Sequence, residues 1–280
     1  MPRDLLPLVR AALGDRYSIE RETGRGAAAV VFRATCLNTG QLVALKILRP
    51  ELVVSVTAER FLREIQIISR LDHPKIGRVL DSGEKDWLVY YVMPYFEGPS
   101  LQSLLNKCGR VSLGDTLRIA NDLLDALIHA HQHGIVHRDV KPDNIIITRE
   151  GAVLLDFGIA RAVALSGTDR LTRSGIAVGT SHYMSPEQIM ATDEPDPRAD
   201  LYSLGCVLFE CLTGEPPYHH RNEIRVLQLH QVAPVPNIRE RVPGIPEAFA
   251  QGISRALAKP RQERWQSAQE MLTALAGVQV

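Results

Sequence analysis

The chain has few cysteines, no net charge and no long hydrophobic run. Only four of its 280 residues are cysteine, and no two of them have the short C-x-x-C spacing of zinc and redox sites. Cys206 and Cys211 lie in an apolar stretch, where buried and reduced thiols are expected. The cysteine content therefore argues against a disulfide scaffold and against a metal site built on paired thiols.

The charges balance, with 32 Lys plus Arg against 32 Asp plus Glu. A nucleic-acid or membrane-surface protein usually has a basic excess, so neither partner is expected. The longest uncharged apolar run, residues 87–96, covers ten residues, whereas a membrane span needs about 20. Residues 1–13 are too short and too interrupted for a signal peptide. The chain is expected to contain no membrane span and to be cytoplasmic.

The type of secondary structure that the sequence predicts changes along the chain. Residues 17–95 are typical of strands with one helix, and residues 100–275 are typical of helices with one short hairpin. The predicted strands are residues 41–48, 78–80 and 88–93, with a hairpin at 144–148 and 152–155. The predicted helices are residues 57–71, with Thr57 as N-cap, 113–133 and 198–212.

Two charged residues lie on apolar faces of these predicted elements. Lys46 shares a strand face with Leu42 and Ala44, and Glu64 lies between Phe61 and Ile68 on a helix stripe. A buried charge is costly unless it is paired, so the two side chains could form an ion pair. Helix geometry alone leaves open the alternative that Glu64 reaches water at the edge of the stripe.

A glycine-rich turn joins the first two predicted strands. In Gly24-Arg25-Gly26-Ala27-Ala28-Ala29, the glycines would let backbone N–H groups approach a phosphate. Taken alone, the pattern favours a tight hairpin turn. A dinucleotide site would require a helix next, and the following residues are typical of a strand.

A stronger signal is a segment in which a carboxylate, an ammonium group and an amide occur within six residues. It reads His137-Arg138-Asp139-Val140-Lys141-Pro142-Asp143-Asn144. An Asp can accept a hydroxyl proton, a Lys two residues later can neutralise a transferring phosphoryl group, and an Asn can bind a divalent cation. Asp156-Phe157-Gly158 follows the next strand and could supply a second oxygen ligand, although alone it is an ordinary turn.

These motifs occur together in the order of the protein kinase family, with Val43-Ala44-Leu45-Lys46, Glu64 and Ser185-Pro186-Glu187 at the matching positions. From about residue 17 to about residue 275, the chain resembles the bacterial eukaryotic-like (Hanks-type) Ser/Thr kinases. The resemblance implies an α+β, bilobal protein kinase fold. It implies a lead segment at 1–16, a small antiparallel β-sheet lobe with one main helix at 17–96, and a larger, mostly helical lobe at 97–276.

The resemblance also implies the catalytic roles. Asp139 would orient the attacking hydroxyl and accept its proton, and Lys141 would contact the γ-phosphate of ATP. Asn144 and Asp156 would hold Mg²⁺, with Mn²⁺ as an alternative. Lys46 would hold the α- and β-phosphates and pair with Glu64. The implied ATP-binding residues are Thr23, Gly24, Arg25, Gly26, Ala27, Ala28, Ala29, Val31, Ala44, Lys46, Met93, Pro94, Phe96 and Ile146.

Other matching positions have structural roles in the family. Asp200 would brace the catalytic loop, and Glu187 would pair with Arg264. Ile68, Val79, His137 and Phe157 would form a regulatory column. Two departures stand out: Ala29 replaces the third glycine of the turn, which could lower ATP affinity, and Pro260 comes one position early in the turn before Arg264.

Regulation by phosphorylation is expected, because an Arg at position 138 commonly meets a phosphate in the activation segment. Thr172 and Ser174 are the best-placed autophosphorylation sites. Protein substrates are the expected partners. Whether the chain forms a homodimer is left as an open alternative. Two alternatives remain: a nucleotide-binding pseudokinase scaffold and, ranked lower, a small-molecule phosphotransferase.

Overall fold

The computed structural model describes residues 4–26, 29–49, 58–157, 180–190 and 196–278. The chain divides into two compact units, each with its own internal packing. The first contains the described residues of 4–72 and 77–96. The second contains residues 73–76 and 97–157 and the described residues from 180 onward.

The first unit is built on a five-stranded antiparallel sheet with the order β1-β2-β3-β5-β4. One face of the sheet forms a hydrophobic core that includes Phe32, Leu45 and Val92. Alternating side chains of the same strands point to the opposite face. The strands are β1 (Tyr17–Arg25), β2 (Ala29–Cys36), β3 (Leu42–Leu48), β4 (Asp81–Lys85) and β5 (Leu88–Pro94).

The strand predicted at residues 78–80 was wrong by several positions, because β4 occupies Asp81–Lys85. Asp86 and Trp87 both have positive φ angles, 49° and 64°, and make the tight turn into β5. This turn fixes the register by pairing Lys85 with Leu88. The sequence of β4 is polar because it is an edge strand, so its composition did not indicate a strand.

A helix that the sequence analysis did not predict, α1 (Leu6–Leu13), precedes the sheet. Val9 and Leu13 are buried in the same hydrophobic core as β2 and β3. Arg10 donates to the backbone oxygens of Ile19 (2.9 Å) and Glu20 (2.8 Å) on the edge strand β1. The helix thus covers the core face of the sheet and satisfies two carbonyl groups of an exposed strand edge.

Helix α2 (Ala58–Ile68) packs on the other face of the sheet. The rings of Phe61 on α2 and Tyr91 on β5 lie 6.3 Å apart, centroid to centroid. Phe61, Ile65 and Ile68 are buried, as the apolar stripe predicts. The predicted N-cap, Thr57, lies outside the described residues, and the helix ends three residues before the predicted end at 71.

In its described residues, the second unit is mostly helical and contains one antiparallel hairpin. Its central helix, α6 (Arg198–Thr213), is buried along residues 199–212, including Cys206 and Cys211. In the described part of the chain, no helix is long and apolar enough to cross a membrane. The other elements are α3 (Leu101–Cys108), α4 (Leu113–Gln132), β6 (Ile145–Thr148), β7 (Gly151–Leu154), α5 (Pro186–Ile189), α7 (Glu223–Val232), α8 (Ile238–Arg241), α9 (Glu247–Ala256) and α10 (Ala268–Ala276).

Helix α1 is expected to be an integral part of the first unit. Leu13 is 0% exposed and Leu8 is 37% exposed on the same helix, so the same substitution tests two environments. Leu13→Ala should lower the free energy of unfolding by about 2–5 kcal/mol, because it leaves a cavity in the core. Leu8→Ala should cost roughly half of that or less. Thermal unfolding measures both, and equal effects would show that α1 does not pack as described.

Candidate active site

One face of the sheet brings together several residues that the sequence analysis assigned to ATP. In the antiparallel register, Gly24 faces Val31, Val31 faces Lys46, and Lys46 faces Tyr91. Directly opposed residues share a face, so these four residues form one row across four strands. Ala44 and Met93 face each other two residues further along β3 and β5 and extend the same surface.

Lys46 is buried, with only 7% of its surface exposed. Its Nζ lies 5.8 Å from the centroid of the Tyr91 ring. Because Phe61 also contacts Tyr91, helix α2 lies on the face that carries Lys46. Glu64, half-buried, belongs to the same helix. The ion pair between Lys46 and Glu64 stays a prediction.

The glycine-rich turn is described at both of its ends. Gly26 N donates to Ala29 O at 2.9 Å, and Thr23 Oγ1 lies 3.4 Å from Val31 O. Arg25 forms an ion pair with Glu22 at 2.6 Å. Ala29 pairs regularly with Leu48, and its backbone is not left-handed, so its Cβ introduces no backbone strain. Ala27 and Ala28 lie outside the described residues.

The residues predicted to contact adenine lie on or just after three strands of the first unit, β2, β3 and β5, and on one strand of the second unit. Met93 and Pro94 end β5, and Tyr95 N donates to Leu42 O at 3.1 Å just before Phe96. Ile146 pairs with Val153 in the β6–β7 hairpin. Their contacts with a nucleotide stay predictions.

Asp200 binds the backbone of the loop that contains His137, Arg138 and Asp139. Its carboxylate accepts hydrogen bonds from the N–H groups of His137 (2.8 Å) and Arg138 (2.7 Å) and from His131 Nε2 (2.8 Å). Burial alone would raise the pKa of Asp200, but the bond from His131 and those from the backbone outweigh it and hold the pKa below its usual value. The loop is therefore fixed by a buried, fully bonded carboxylate on α6.

His137 ties this loop to the strand that precedes Asp156. Its Nδ1 accepts the N–H of Asp139 at 3.1 Å, so the ring proton must lie on Nε2. That Nε2 donates to Leu155 O at 2.8 Å, and the ring meets Phe157 edge-on at 4.5 Å. Of the four residues in the predicted regulatory column, the structure brings these two into contact within the second unit.

Two polar side chains, those of Lys141 and Asn144, contact the carboxylate of Asp139. Lys141 Nζ lies 2.8 Å from Asp139 Oδ2, and Asn144 Nδ2 donates to the same oxygen at 3.0 Å. Asn144 Nδ2 also donates to the Asp139 carbonyl at 2.8 Å. The amide is thus oriented by two bonds through its nitrogen. A carboxylate, an ammonium group and an amide are held together within one turn of chain.

Two residues beside this cluster have left-handed backbones without being glycine. The φ angles are 69° at Arg138 and 66° at Asp156. Such conformations cost of order 1–3 kcal/mol each and are concentrated at functional sites. Leu155 N donates to Asn144 O at 2.8 Å, which brings Asp156 next to the segment of Asn144. Gly158, Thr172 and Ser174 lie outside the described residues.

Glu187 and Arg264 form a buried ion pair with fork geometry. The two guanidinium NH groups contact the two carboxylate oxygens at 2.7 and 2.9 Å, and Arg264 is 0% exposed. The same guanidinium donates to the carbonyl oxygens of Ala258 (2.7 Å) and Lys259 (2.9 Å). The pKa of Glu187 is lowered, because the bonds from Arg264 outweigh its burial. The early position of Pro260 therefore does not prevent the pairing.

Sequence reasoning missed two contacts that position the site. Gln188 Nε2 donates to Arg138 O at 2.7 Å, and His131 is the third partner of Asp200. His131 lies on the apolar face of α4 with Leu124 and Leu127, at helical spacing. A polar residue on a buried stripe needs a partner, so this position could have indicated a buried hydrogen bond from the sequence. Gln188 carried no comparable signal, because its partner is a backbone atom.

A family model described as the protein kinase domain matches residues 17–274. The chain is 41% identical over 266 residues to the serine/threonine-protein kinase PknB of Mycolicibacterium smegmatis, covering 92% of this chain and 42% of the relative. It is 39% identical over 260 residues to PknH of Mycobacterium bovis, covering 92% and 43%. The chain spans about two fifths of the length of these curated relatives.

The fold also resembles a solved structure. The crystal structure of Rad53 residues 1–466 in complex with AMP-PNP superposes with a TM-score of 0.77 at 24% identity. The match covers 93% of this chain and 65% of that chain. At this level of identity the likeness establishes the fold.

Removing the charge of Asp200 should destabilise the chain. Asp200→Asn puts an amide NH₂ opposite a backbone N–H and should lower the free energy of unfolding by about 2–3 kcal/mol. Because the folded pKa is lowered, the stabilisation by the carboxylate is present above about pH 4 and is lost as the pH falls through the folded value. The difference in the free energy of unfolding between wild type and variant should therefore become smaller in acid.

The matched control is Asp72→Asn, which changes an exposed ion pair with Arg78. It should alter stability by less than about 1 kcal/mol. Urea unfolding at pH 7 and at pH 3 measures both variants. A loss for Asp200→Asn no larger than for Asp72→Asn would contradict the bracing role.

Proposed function

Because the chain belongs to the protein kinase family, we propose that it is a protein Ser/Thr kinase that transfers the γ-phosphoryl group of ATP to protein hydroxyl groups. The family match and the solved neighbour confirm the predicted α+β protein kinase fold. The predicted resemblance to bacterial Hanks-type kinases is confirmed by the relatives from Mycolicibacterium and Mycobacterium.

The observation that carries the proposal is the cluster around Asp139. Phosphoryl transfer needs a group that orients the attacking hydroxyl and positive charge near the transferring group. Asp139 supplies the carboxylate, and Lys141 Nζ lies 2.8 Å from it. Asp139 would accept the substrate's hydroxyl proton, while Lys141 would neutralise charge that develops on the γ-phosphoryl oxygens.

Asn144 and Asp156 fit a magnesium site. The nitrogen of the Asn144 amide is bound to Asp139, which leaves Oδ1 as the amide atom able to meet a cation. Mg²⁺ is usually held by one or two protein oxygen ligands together with substrate phosphates. Among the described residues, no group of three or more His, Cys, Asp or Glu could hold a metal by itself. When bound, the cation, Mg²⁺ or alternatively Mn²⁺, would neutralise phosphate charge.

The sheet face of the first unit supports the nucleotide assignment. Lys46 is a buried cation in a row with Gly24 and Val31, and a buried ammonium is favourable only where negative charge or aromatic faces meet it. We assign Lys46 to the α- and β-phosphates, with Glu64 as its partner. Val31, Ala44, Met93, Pro94, Phe96 and Ile146 would contact adenine.

The remaining assignments follow from the same family. We place the catalytic domain at residues 17–276, with a boundary at 96/97 where the compact units also divide. Protein substrates are proposed because the named relatives are serine/threonine-protein kinases. A cytoplasmic location and autophosphorylation at Thr172 or Ser174 are also proposed.

Asp139→Asn tests the catalytic assignment. The variant keeps the shape of the side chain but cannot accept a proton, so phosphoryl transfer should fall by roughly 10²–10⁴-fold while ATP binding is retained. The assay uses labelled ATP, Mg²⁺ and a generic basic protein, with nucleotide affinity measured separately. Asp86→Asn, at an exposed turn, is the matched control and should keep wild-type activity.

The outcomes separate the alternatives. Wild-type activity in Asp139→Asn would contradict the assignment. Nucleotide binding without transfer in the wild-type chain would favour a pseudokinase scaffold, and transfer only to small hydroxyl compounds would favour a small-molecule phosphotransferase. Mass spectrometry of the purified chain should find phosphate at Thr172 or Ser174 in the wild type and none there in Asp139→Asn.

A further inference from the structure

Strand β1 contains two β-bulges before the glycine-rich turn. Ile19 and Arg21 face consecutive residues of β2, so Glu20 between them is an extra residue in β1. In the same way, Thr23 is an extra residue further along the strand. A bulge interrupts the ladder, bends the strand that carries it and turns the following side chains to the other face. The course of β1 toward the turn is therefore set by these two positions.

The two bulges decide which residue of β2 lies opposite Gly24. Continued from the first pairs of β1 and β2, a ladder without bulges would place Gly24 opposite Ala29, and a single bulge would place it opposite Val30. Val30 belongs to the hydrophobic core on the far face of the sheet. Two bulges place Gly24 opposite Val31, which faces Lys46 in the next ladder. The row of residues proposed to meet the phosphates therefore requires both bulges.

The first bulge is held by an arginine from outside the strand pair. Arg10 on helix α1 donates from Nε to the carbonyl oxygen of Ile19 at 2.9 Å and from its guanidinium NH₂ to that of Glu20 at 2.8 Å. These two carbonyl groups bracket the extra residue. Because β1 is an edge strand, they have no partner strand on that side. Val9, the neighbour of Arg10, is buried in the core, so α1 holds the donor in a fixed place.

The side chain of the extra residue is also bound. The carboxylate of Glu20 lies 3.2 Å from a guanidinium nitrogen of Arg33 on β2. The guanidinium carbon of Arg33 lies 5.4 Å from the centroid of the Tyr95 ring, in the segment that follows β5. The bulge is thus fixed through its backbone by α1 and through its side chain by β2. These contacts connect the lead helix with the segment next to the proposed adenine site, and all of them lie within the first unit.

We propose that Arg10 is a positioning residue for the nucleotide: by fixing the first bulge, it keeps the glycine-rich turn in the register that brings Gly24 opposite Val31. Without Arg10, the bulge can shift along β1, and a slip of one residue turns Gly24 to the core face. Strand β2 stays in place, because it pairs regularly with β3. The loss therefore falls on the contacts of the turn with the phosphates and spares the contacts with adenine. This role rests on the proposed function, since its ligand is ATP.

The test is Arg10→Met, with binding of a non-hydrolysable ATP analogue in the presence of Mg²⁺ and binding of adenosine both measured by titration calorimetry. The Kd for the ATP analogue should rise by roughly 3- to 10-fold, the equivalent of about one hydrogen bond. Adenosine should bind as in wild type. In the kinase assay, the KM for ATP should rise while kcat at saturating ATP is retained. Arg10→Lys keeps the charge but loses the planar fork, so its Kd should be intermediate.

Arg16→Met is the matched control, because Arg16 also donates two hydrogen bonds within the first unit. Its partners are the hydroxyl of Tyr90 and the carboxylate of Asp81, both at 2.8 Å, and neither belongs to β1. Arg16→Met should lower the melting temperature and leave the Kd for the ATP analogue at the wild-type value. Three results would overturn the proposal: an unchanged Kd in Arg10→Met, an equal rise in both variants, or equal losses for the ATP analogue and adenosine.

Amide hydrogen exchange without nucleotide tests the bulge independently of the proposed function. In Arg10→Met, exchange should become faster at residues 20–26 and stay unchanged in the ladder of β2 with β3, because only the bulged strand loses a partner. Unchanged exchange at residues 20–26 would contradict the role of Arg10 even in an active kinase. A wild-type chain that binds no ATP would instead contradict the proposed function, and the exchange result would still decide whether Arg10 fixes the bulge.

Discussion

The loop at residues 137–144, which we propose to be the catalytic loop, depends on one buried carboxylate. Asp200 has no contact with water, and its two oxygens accept three hydrogen bonds, two of them from consecutive backbone N–H groups of the loop. Charge-assisted bonds in a low-dielectric interior are stronger than those at the surface. The carboxylate belongs to helix α6, which is buried along residues 199–212. The loop is therefore attached to an element that is itself firmly packed. The positive φ angle of Arg138 is held in place by these bonds.

A second set of contacts reaches the same loop from its carbonyl side. Arg264, fixed by two backbone carbonyls, holds Glu187 at the start of α5, and Gln188 of that helix binds the Arg138 carbonyl. Arg138 is thus bonded at its N–H by α6 and at its C=O by α5. Breaking one partner of a buried ion pair is costly, because a charge is left without compensation. The positions of Asp139 and Lys141 therefore depend on residues far away in the sequence.

Periodicity and turn chemistry were sufficient to predict several of the elements with their bounds. The strand containing Lys46, the helix α4 and the apolar helix α6 were found close to their observed bounds. Helix α1 was missed because Pro7 and Arg10 interrupt its apolar pattern, although Arg10 in fact bonds β1. Strand β4 was misplaced because an edge strand can be polar. In both cases, tertiary contacts decided what local composition could not.

The chemical groups of the site were readable from the sequence, but their arrangement was not. The motif around Asp139 gave the residue types, and the resemblance gave their roles. The bonds from Asn144 to Asp139, the Nε2 tautomer of His137 and the part played by Gln188 depend on three-dimensional placement.

The central claim is that Asp139, Lys141, Asn144 and Asp156 act together on one triphosphate. The most direct measurement is a crystal structure of the chain with a non-hydrolysable ATP analogue and Mg²⁺. The account predicts Asn144 Oδ1 and an Asp156 carboxylate oxygen at about 2.0–2.1 Å from a metal ion, and Lys141 Nζ within hydrogen-bond distance of the γ-phosphate. A metal ion bound elsewhere, or phosphates out of reach of Lys141, would contradict it.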